Sequence, residues 1–206
     1  MEHLLKYFPE LTSRQREQFE TMLKAYREWN GKINVVSRKD IDNLEVNHIL
    51  HSLAIAKFIK FIPGSTVIDL GTGGGFPAIP LAVLFPETHF VLIDRTRKKL
   101  KVAEAVAKEC GIENVSFFHG DFAEYKEKAD FVVSRAVMPQ PDLVKLVEKN
   151  ISREQKNALP NGLITLKGGN LEGELRGIKK PMESVEIKDY FDEPFFETKK
   201  IIYTQI

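Results

Sequence analysis

A run of glycines at the end of a short apolar segment constrains this sequence more than any other feature. Residues 67–70 read Val-Ile-Asp-Leu, an apolar, β-branched run typical of buried strands, and they lead directly into Gly71-Thr72-Gly73-Gly74-Gly75. Four glycines in five residues let the backbone approach another group closely, because no side chain stands in the way. A helical pattern with Pro77 in its first turn follows, so the segment is a strand–loop–helix unit whose loop is expected to bind a ligand.

Short strands and helical segments alternate along most of the remaining chain, after Pro63-Gly64. This alternation predicts an α/β fold with a mostly parallel sheet. Two later runs, 185–187 and 201–203, are close enough in sequence to pair as an antiparallel edge. The predicted parallel strands are 67–70, 90–93, 115–118, 131–133 and 163–166, and the predicted helices between them are 79–85, 100–110 and 143–147.

The first 62 residues carry helical rather than strand patterns. Thr12 and Gln15 have the spacing of a capping box, and an apolar stripe from Phe19 to Trp29 follows, which Gly31 is expected to end. We interpret the aromatic residues of this stripe as core rather than as base-stacking groups. A second stripe runs from Leu44 to Ile59. Residues 1–62 are therefore expected to form a helical cap on the α/β core of residues 63–206, within one domain spanning 1–206.

The composition excludes several classes of protein. Lys and Arg number 30 against 29 Asp and Glu, and this net charge of +1 argues against a histone-like polyanion binder. The one cysteine, Cys110, fits a reducing compartment. The sequence contains no run of about 18 apolar residues, so it predicts no membrane-spanning helix. His48 and His51 lie three residues apart on a predicted helix, but no other ligand cluster accompanies them. We expect a cytoplasmic protein without a metal site.

The residues around the loop indicate which nucleotide it binds. The spacing Gly73-x-Gly75-x-x-Ala78 also satisfies the dinucleotide fingerprint. However, Asp69 would repel a pyrophosphate yet could hold a cationic amino group, and Phe76 with Pro77 crowds the helix start that a pyrophosphate needs. Asp94 closes the second strand nineteen residues after Gly75, where an acid can bind both hydroxyls of a ribose. A ribose, an amino acid and no phosphate describe S-adenosylmethionine. The competing interpretation is a plain turn, with Asp94 as a helix cap.

The loop with its flanks, Ile68-Asp69-Leu70-Gly71-Thr72-Gly73-Gly74-Gly75-Phe76-Pro77-Ala78-Ile79-Pro80-Leu81-Ala82, closely resembles the signature of the glucose-inhibited division protein B family. These are small-subunit ribosomal RNA guanine-N7 methyltransferases. Ser134-Arg135-Ala136-Val137 and Lys167-Gly168 match two further family blocks, and the upstream Asn34-Val35-Val36-Ser37 and His48–Leu53 segments resemble its amino-terminal blocks. The resemblance covers roughly residues 20 to 170. It implies a Rossmann-like class I S-adenosylmethionine-dependent methyltransferase fold.

The resemblance also implies a set of cofactor contacts. By position they fall on Gly71, Phe76, Asp94, Arg95, Thr96, Ala123, Glu124 and Arg135, to which the local reasoning adds Asp69 and Gly73. Two positions depart from the family pattern: Phe122 stands where the family usually has Arg, and His51 where it usually has Asp.

The implied reaction needs no catalytic side chain, because guanine N7 presents a lone pair and no proton. Arg135 is a candidate to orient guanine or hold a phosphate, with a structural ion pair to a strand-end acid as the alternative. Arg97, within the basic segment 95–101, and Lys167 are candidates to contact RNA phosphates. The expected partner is 16S rRNA, in the small ribosomal subunit or an assembly intermediate, and the enzyme is expected to be a monomer.

Three other functions remain open at this point. They are methylation of another RNA or a small molecule, oxidoreduction with a nicotinamide cofactor, and RNA binding without catalysis.

Overall fold

A seven-stranded sheet forms the centre of the protein in the computed structural model, which describes residues 1–135 and 137–206. Ala136, in the block at residues 134–137, lies outside the described residues. The strands are β1 (Thr66–Leu70), β2 (His89–Asp94), β3 (Val115–His119), β4 (Phe131–Arg135), β5 (Gly162–Gly168), β6 (Met182–Glu186) and β7 (Lys199–Gln205). The helices are α1 (Glu2–Tyr7), α2 (Ser13–Lys32), α3 (His51–Phe58), α4 (Ala78–Leu84), α5 (Arg97–Glu109), α6 (Gln140–Val147) and α7 (Glu172–Leu175).

The strand order is β3-β2-β1-β4-β5-β7-β6. Strands β1 to β5 are mutually parallel, and β7 runs antiparallel to both β5 and β6. The predicted mostly parallel sheet with an antiparallel edge is therefore confirmed. The chain runs from β1 through β2 to β3 on one side and then crosses back to β4 on the other side of β1, and such a reversal leaves a crevice at the carboxyl ends of β1 and β4.

The two faces of the sheet pack against different partners. Val67, Phe90 and Phe131 point into a buried cluster that also contains the apolar side chains of α2, α3, α4 and α5. Ile68 and Val132 point to the opposite face, which packs against α6 and Phe122. This alternation is the period of two that a strand covered on both faces requires. The amino-terminal helices thus pack into the same buried cluster as one face of the sheet.

The predicted helical cap is largely as the sequence indicates. Thr12 Oγ1 accepts from Gln15 N at 3.2 Å while the Gln15 side chain accepts from Thr12 N, so the capping box is confirmed. Phe19 and Tyr26 are fully buried and Trp29 is partly buried, as expected for a core stripe. The prediction that Gly31 ends the helix was wrong by one residue, because α2 continues through Lys32. A single π-helical segment, Glu45–Leu50, precedes α3. No helix in residues 1–135 or 137–206 is long and apolar enough to span a bilayer.

Removal of the capping hydroxyl should weaken α2 and, through it, the packing of the amino-terminal segment. We expect Thr12→Ala to lower the free energy of unfolding by about 1 kcal/mol, because an N-cap oxygen satisfies an otherwise unpaired amide. Urea unfolding followed by circular dichroism measures the change. Ser13→Ala is the matched control, since Ser13 is the exposed neighbouring hydroxyl. Equal losses in the two variants would contradict the capping role.

Candidate cofactor and substrate site

A cavity of about 510 Å³ opens at the carboxyl ends of β1, β2 and β4. Its position is the crevice that the strand order predicts. The residues that line it are Leu70, Gly71, Ile93, Asp94, Arg95, Thr96, Lys99, Gly120, Asp121, Phe122, Arg135, Val137, Met138 and Leu146. Five predicted site residues, Gly71, Asp94, Arg95, Thr96 and Arg135, thus lie around one cavity.

The glycine loop has a conformation that other residues rarely adopt. Gly71, Gly73 and Gly75 have φ values of +70°, +58° and +109°. Space is also limiting, since a Cβ atom on Gly71 would lie 2.5 Å from Val137 Cγ2 and one on Gly74 would lie 2.7 Å from Val35 Cβ. The loop therefore needs glycine both for its backbone angles and for close contact with the segments on either side of it.

Asp94 joins the glycine loop to the start of α5. Its Oδ2 atom accepts from Gly73 N at 2.8 Å, and its Oδ1 atom accepts from Thr96 N at 2.7 Å. Thr96 is the N-cap residue of α5. The hydrogen bond from Thr96 N therefore agrees with the competing interpretation, in which Asp94 stabilises the start of this helix. The side chain also lines the cavity, and each carboxylate oxygen can accept a second hydrogen bond. Ribose binding by Asp94 stays a prediction that this geometry permits.

Asp69 is fully buried and belongs to β1 rather than to the cavity wall. Its Oδ2 atom accepts from Thr72 Oγ1 at 2.7 Å and from Ala78 N at 3.0 Å, while its Oδ1 atom is buried without a protein partner among the described residues. Burial raises the pKa of this carboxyl to about 7. The structure thus gives Asp69 a role in shaping the loop, and its contact with a cationic amino group stays a prediction.

The segment after β3 supplies a carboxylate that the sequence analysis missed. Asp121 lines the cavity, accepts from Ala123 N at 2.9 Å and pairs with the Arg95 guanidinium. Its place two residues after the end of the third parallel strand was the available signal. Ala123 and Glu124 are exposed beside it, whereas Phe122 is buried and forms part of the cavity wall.

Arg135 extends from the carboxyl end of β4 into a polar and aromatic environment. Its Nη2 atom lies 3.0 Å from His48 Nδ1, its Nη1 atom donates to Asn47 O at 3.4 Å, and its Cζ atom lies 5.1 Å from the centre of the Phe76 ring. Burial, followed by the neighbouring Arg135 charge, lowers the pKa of His48 to about 4, so His48 is neutral and its Nδ1 atom accepts. Among the described residues no carboxylate forms an ion pair with Arg135, and the alternative of a strand-end ion pair is not realised.

Lys167 and Arg97, the two candidates for RNA contact, differ in their surroundings. Lys167 is nearly buried, with 8% of its side chain exposed; it donates to Met138 O at 2.7 Å and pairs with Glu174 at 2.6 Å. Glu174 in turn accepts from Gln140 N at 2.7 Å, at the start of α6. Lys167 therefore holds the segment after β4, and in this arrangement its ammonium does not face solvent. Arg97 is exposed but pairs with Glu104.

Other candidate chemistries find no support at this site. Within the ranges that the structure describes, no group of His, Cys, Asp and Glu has the arrangement of a metal site. His51 is buried edge-on against Phe195 and Phe196, and burial holds its pKa well below the usual value. Cys110 is the buried C-cap residue of α5, and burial raises its thiol pKa to about 12, so it is not an activated nucleophile.

Solved structures show which known proteins share this fold. The structure is similar to Aeropyrum pernix fibrillarin with natively bound S-adenosyl-L-methionine, with a TM-score of 0.55 at 15% identity over 75% of this chain and 73% of that one. It is also similar to an RNA methyltransferase from Salinibacter ruber in complex with S-adenosyl-L-homocysteine, with a TM-score of 0.52 at 18% identity over 76% and 88% of the two chains. At these identities the likeness shows a shared fold, the class I methyltransferase fold.

Sequence relatives are much closer. This chain is 59% identical over 203 residues to the ribosomal RNA small subunit methyltransferase G of Parabacteroides distasonis, covering 98% of this chain and 88% of the relative. It is 57% identical over 206 residues to the protein of the same name from Bacteroides thetaiotaomicron, covering 100% of both. Residues 15–201 match the family described as GidB, rRNA small subunit methyltransferase G. The chain belongs to this family.

Proposed function

We propose that this protein transfers the methyl group of S-adenosylmethionine to N7 of one guanine in the 16S rRNA of the small ribosomal subunit. The observation that carries the proposal is the family match over residues 15–201, in a chain whose cavity lies at the carboxyl ends of β1, β2 and β4. The substrate is 16S rRNA in the subunit or in an assembly intermediate. We further propose that the enzyme acts as a monomer in the cytoplasm.

The cavity suits a cofactor that carries a ribose. Asp94 lines it with lone pairs left for ribose hydroxyls, and Asp121 lines it too, although its charge is paired with Arg95. Asp94 is the proposed ribose ligand, and Gly71, Gly73 and Phe76 belong to the loop proposed to hold the amino-acid part, beside the buried carboxylate of Asp69. Arg95, Thr96, Ala123 and Glu124 are the proposed contacts at the adenosine side. An acid in the position of Asp94 would suit the ribose of a nicotinamide dinucleotide as well, so the family match is what argues against that cofactor.

The residues of this chain contribute position and electrostatics rather than proton transfer. S-adenosylmethionine supplies an electrophilic methyl group, which the lone pair of guanine N7 takes while the electrons of the broken S–C bond stay on sulfur. Because N7 carries no proton, no side chain has to act as a base. Holding the two reactants in line is worth several kcal/mol of the barrier. Arg135, at the cavity wall, is proposed to orient the guanine by donating to O6 or to hold an adjacent phosphate.

The basic residues at the rim provide a proposed contact with the RNA backbone. Lys99 lines the cavity and is exposed, and Arg97, also exposed, lies two residues before it at the start of α5. Arg97 already pairs with Glu104, so RNA would have to compete for it. The RNA contact proposed for these side chains would make binding weaken with salt.

Methyl transfer tests the proposed function directly. We expect the protein to transfer labelled methyl from S-adenosylmethionine to small subunits, or their assembly intermediates, from cells that lack the enzyme. Mass mapping of the rRNA should find one new N7-methylguanine. Parallel reactions with naked 16S rRNA and with small-molecule acceptors identify the substrate form. Absence of incorporation in every reaction, or a methyl group elsewhere than N7, would contradict the proposal.

Substitution of Asp94 tests the proposed ribose contact. Asp94→Asn should raise the Kd for S-adenosylhomocysteine at least tenfold, which is about 1.4 kcal/mol of binding free energy, because an amide has one acceptor oxygen in place of two. Isothermal titration calorimetry measures the change. Asp189→Asn is the matched control, since Asp189 is exposed next to the edge strand β6. An unchanged Kd in Asp94→Asn would refute the ribose assignment.

The environment of Lys167 separates its two interpretations. If Lys167 holds the segment after β4, Lys167→Met should lower the free energy of unfolding by about 1–3 kcal/mol, because Glu174 and Met138 O each lose a hydrogen-bond donor. Lys32→Met, which removes an exposed pair with Glu28, should cost less than about 1 kcal/mol. Chemical unfolding of both variants supplies the comparison. Unchanged stability together with a raised KM for RNA and a shallower salt dependence would instead identify an RNA contact.

A further inference from the structure

Tyr26 reaches from the amino-terminal helix α2 to the glycine loop. Its side chain is fully buried, and its hydroxyl donates to Gly74 O at 2.8 Å. Burial raises the pKa of this phenol well above its usual value, so the hydroxyl keeps its proton and acts as a donor. A Cβ atom on Gly75 would lie 2.9 Å from the same oxygen. The hydroxyl therefore contacts two consecutive residues of the loop.

The ring of Tyr26 makes a second contact with the same loop. It stacks on the Phe76 ring with centroids 4.5 Å apart and an interplanar angle of 27°. Phe76 is 3% exposed, and the Arg135 guanidinium lies over its ring. Tyr26, Phe76 and Arg135 thus form one chain of contacts from α2 to the carboxyl end of β4. An aromatic pair of this kind contributes about 0.5–1.5 kcal/mol beyond the burial of its area.

The conformation of the glycine loop is held by contacts from outside the loop as well as by its own backbone hydrogen bonds. Thr72 O accepts from both Gly75 N and Phe76 N at 3.0 Å, which closes the turn on one side. Gly74 O points away from this turn to the Tyr26 hydroxyl. Glycine loses more backbone freedom on ordering than any other residue, so a loop with four glycines is costly to hold in one conformation. A ligand that binds only this conformation binds more weakly when the conformation is less populated.

We propose that Tyr26 is a positioning residue for cofactor binding: it holds the glycine loop, through Gly74 O and the Phe76 ring, in the conformation that receives S-adenosylmethionine. The inference deepens the proposed function and rests on it, because it assigns a task at the cofactor site to the helical cap. Tyr26 lies behind the loop and is not among the residues that line the cavity, so it acts through the loop and not on the reacting atoms.

A pair of tyrosine-to-phenylalanine variants tests this assignment. Tyr203 is the control, because its hydroxyl also donates to a backbone carbonyl, Pro160 O at 2.6 Å, before the amino end of β5. Loss of either hydroxyl should lower the free energy of unfolding by about 1 kcal/mol. Only Tyr26→Phe should raise the Kd for S-adenosylhomocysteine and the KM for S-adenosylmethionine, each by about fivefold. The reason is that the glycine loop would then spend less time in the conformation that binds the cofactor. The KM for RNA should not change in either variant.

Amide hydrogen exchange of the free protein gives a second readout that needs no ligand. In Tyr26→Phe the amides of Gly75 and Phe76 should exchange faster relative to those of β1, and in Tyr203→Phe they should not. If the wild-type protein and Tyr26→Phe bind S-adenosylhomocysteine with the same Kd, the inference is overturned and the proposed function stands. A wild-type protein that binds no S-adenosylhomocysteine would overturn both. Unchanged exchange at Gly75 and Phe76 would also reject the role of Tyr26.

Discussion

The geometry of the site depends on the hydrogen bonds of the buried Asp69 carboxylate. One of its oxygens accepts from Thr72 Oγ1 and from Ala78 N, and so ties the end of β1 to both the glycine loop and the first residue of α4. A buried carboxylate is costly unless it is hydrogen-bonded, so its bonds favour one loop conformation over others. Asp94 repeats the arrangement one strand away, between Gly73 N and Thr96 N. Two strand-end acids thereby fix the loop from both sides.

The amino-terminal helices contribute to the site as well as to the core. Val35 packs against Gly74, Tyr26 bonds to its carbonyl, and His48 accepts from Arg135. Each of these contacts joins the first 62 residues to the carboxyl edge of the sheet. The cap is therefore not a separate addition to an independent nucleotide-binding core. Cap residues pack directly against the loop and the end of β4.

Much of the fold is predictable from the sequence, because strands, helix caps and the glycine loop each depend on residues that are close together in the chain. The strands, the capping box at Thr12 and the cofactor loop follow from patterns within a few residues. The pairing of Lys167 with Glu174 does not, since its partner comes from a short helix that no pattern predicts. The hydrogen bonds of Asp69 to Thr72 and to Ala78 do not follow from a local pattern either, and its expected contact with a ligand stays a prediction. The partners of individual side chains are what local patterns leave undetermined.

Gly75 occupies the point where three helices meet. A methyl group there would lie 2.5 Å from Ile79 Cγ1 in α4, 2.9 Å from Tyr26 Oη in α2 and 3.2 Å from Ala103 Cβ in α5. One hydrogen atom is all that this junction accommodates, so the spacing of the three helices and the identity of this residue cannot vary independently. A side chain at residue 75 would therefore push at least one of the three helices away from the others, and the cofactor loop that begins α4 would move with them.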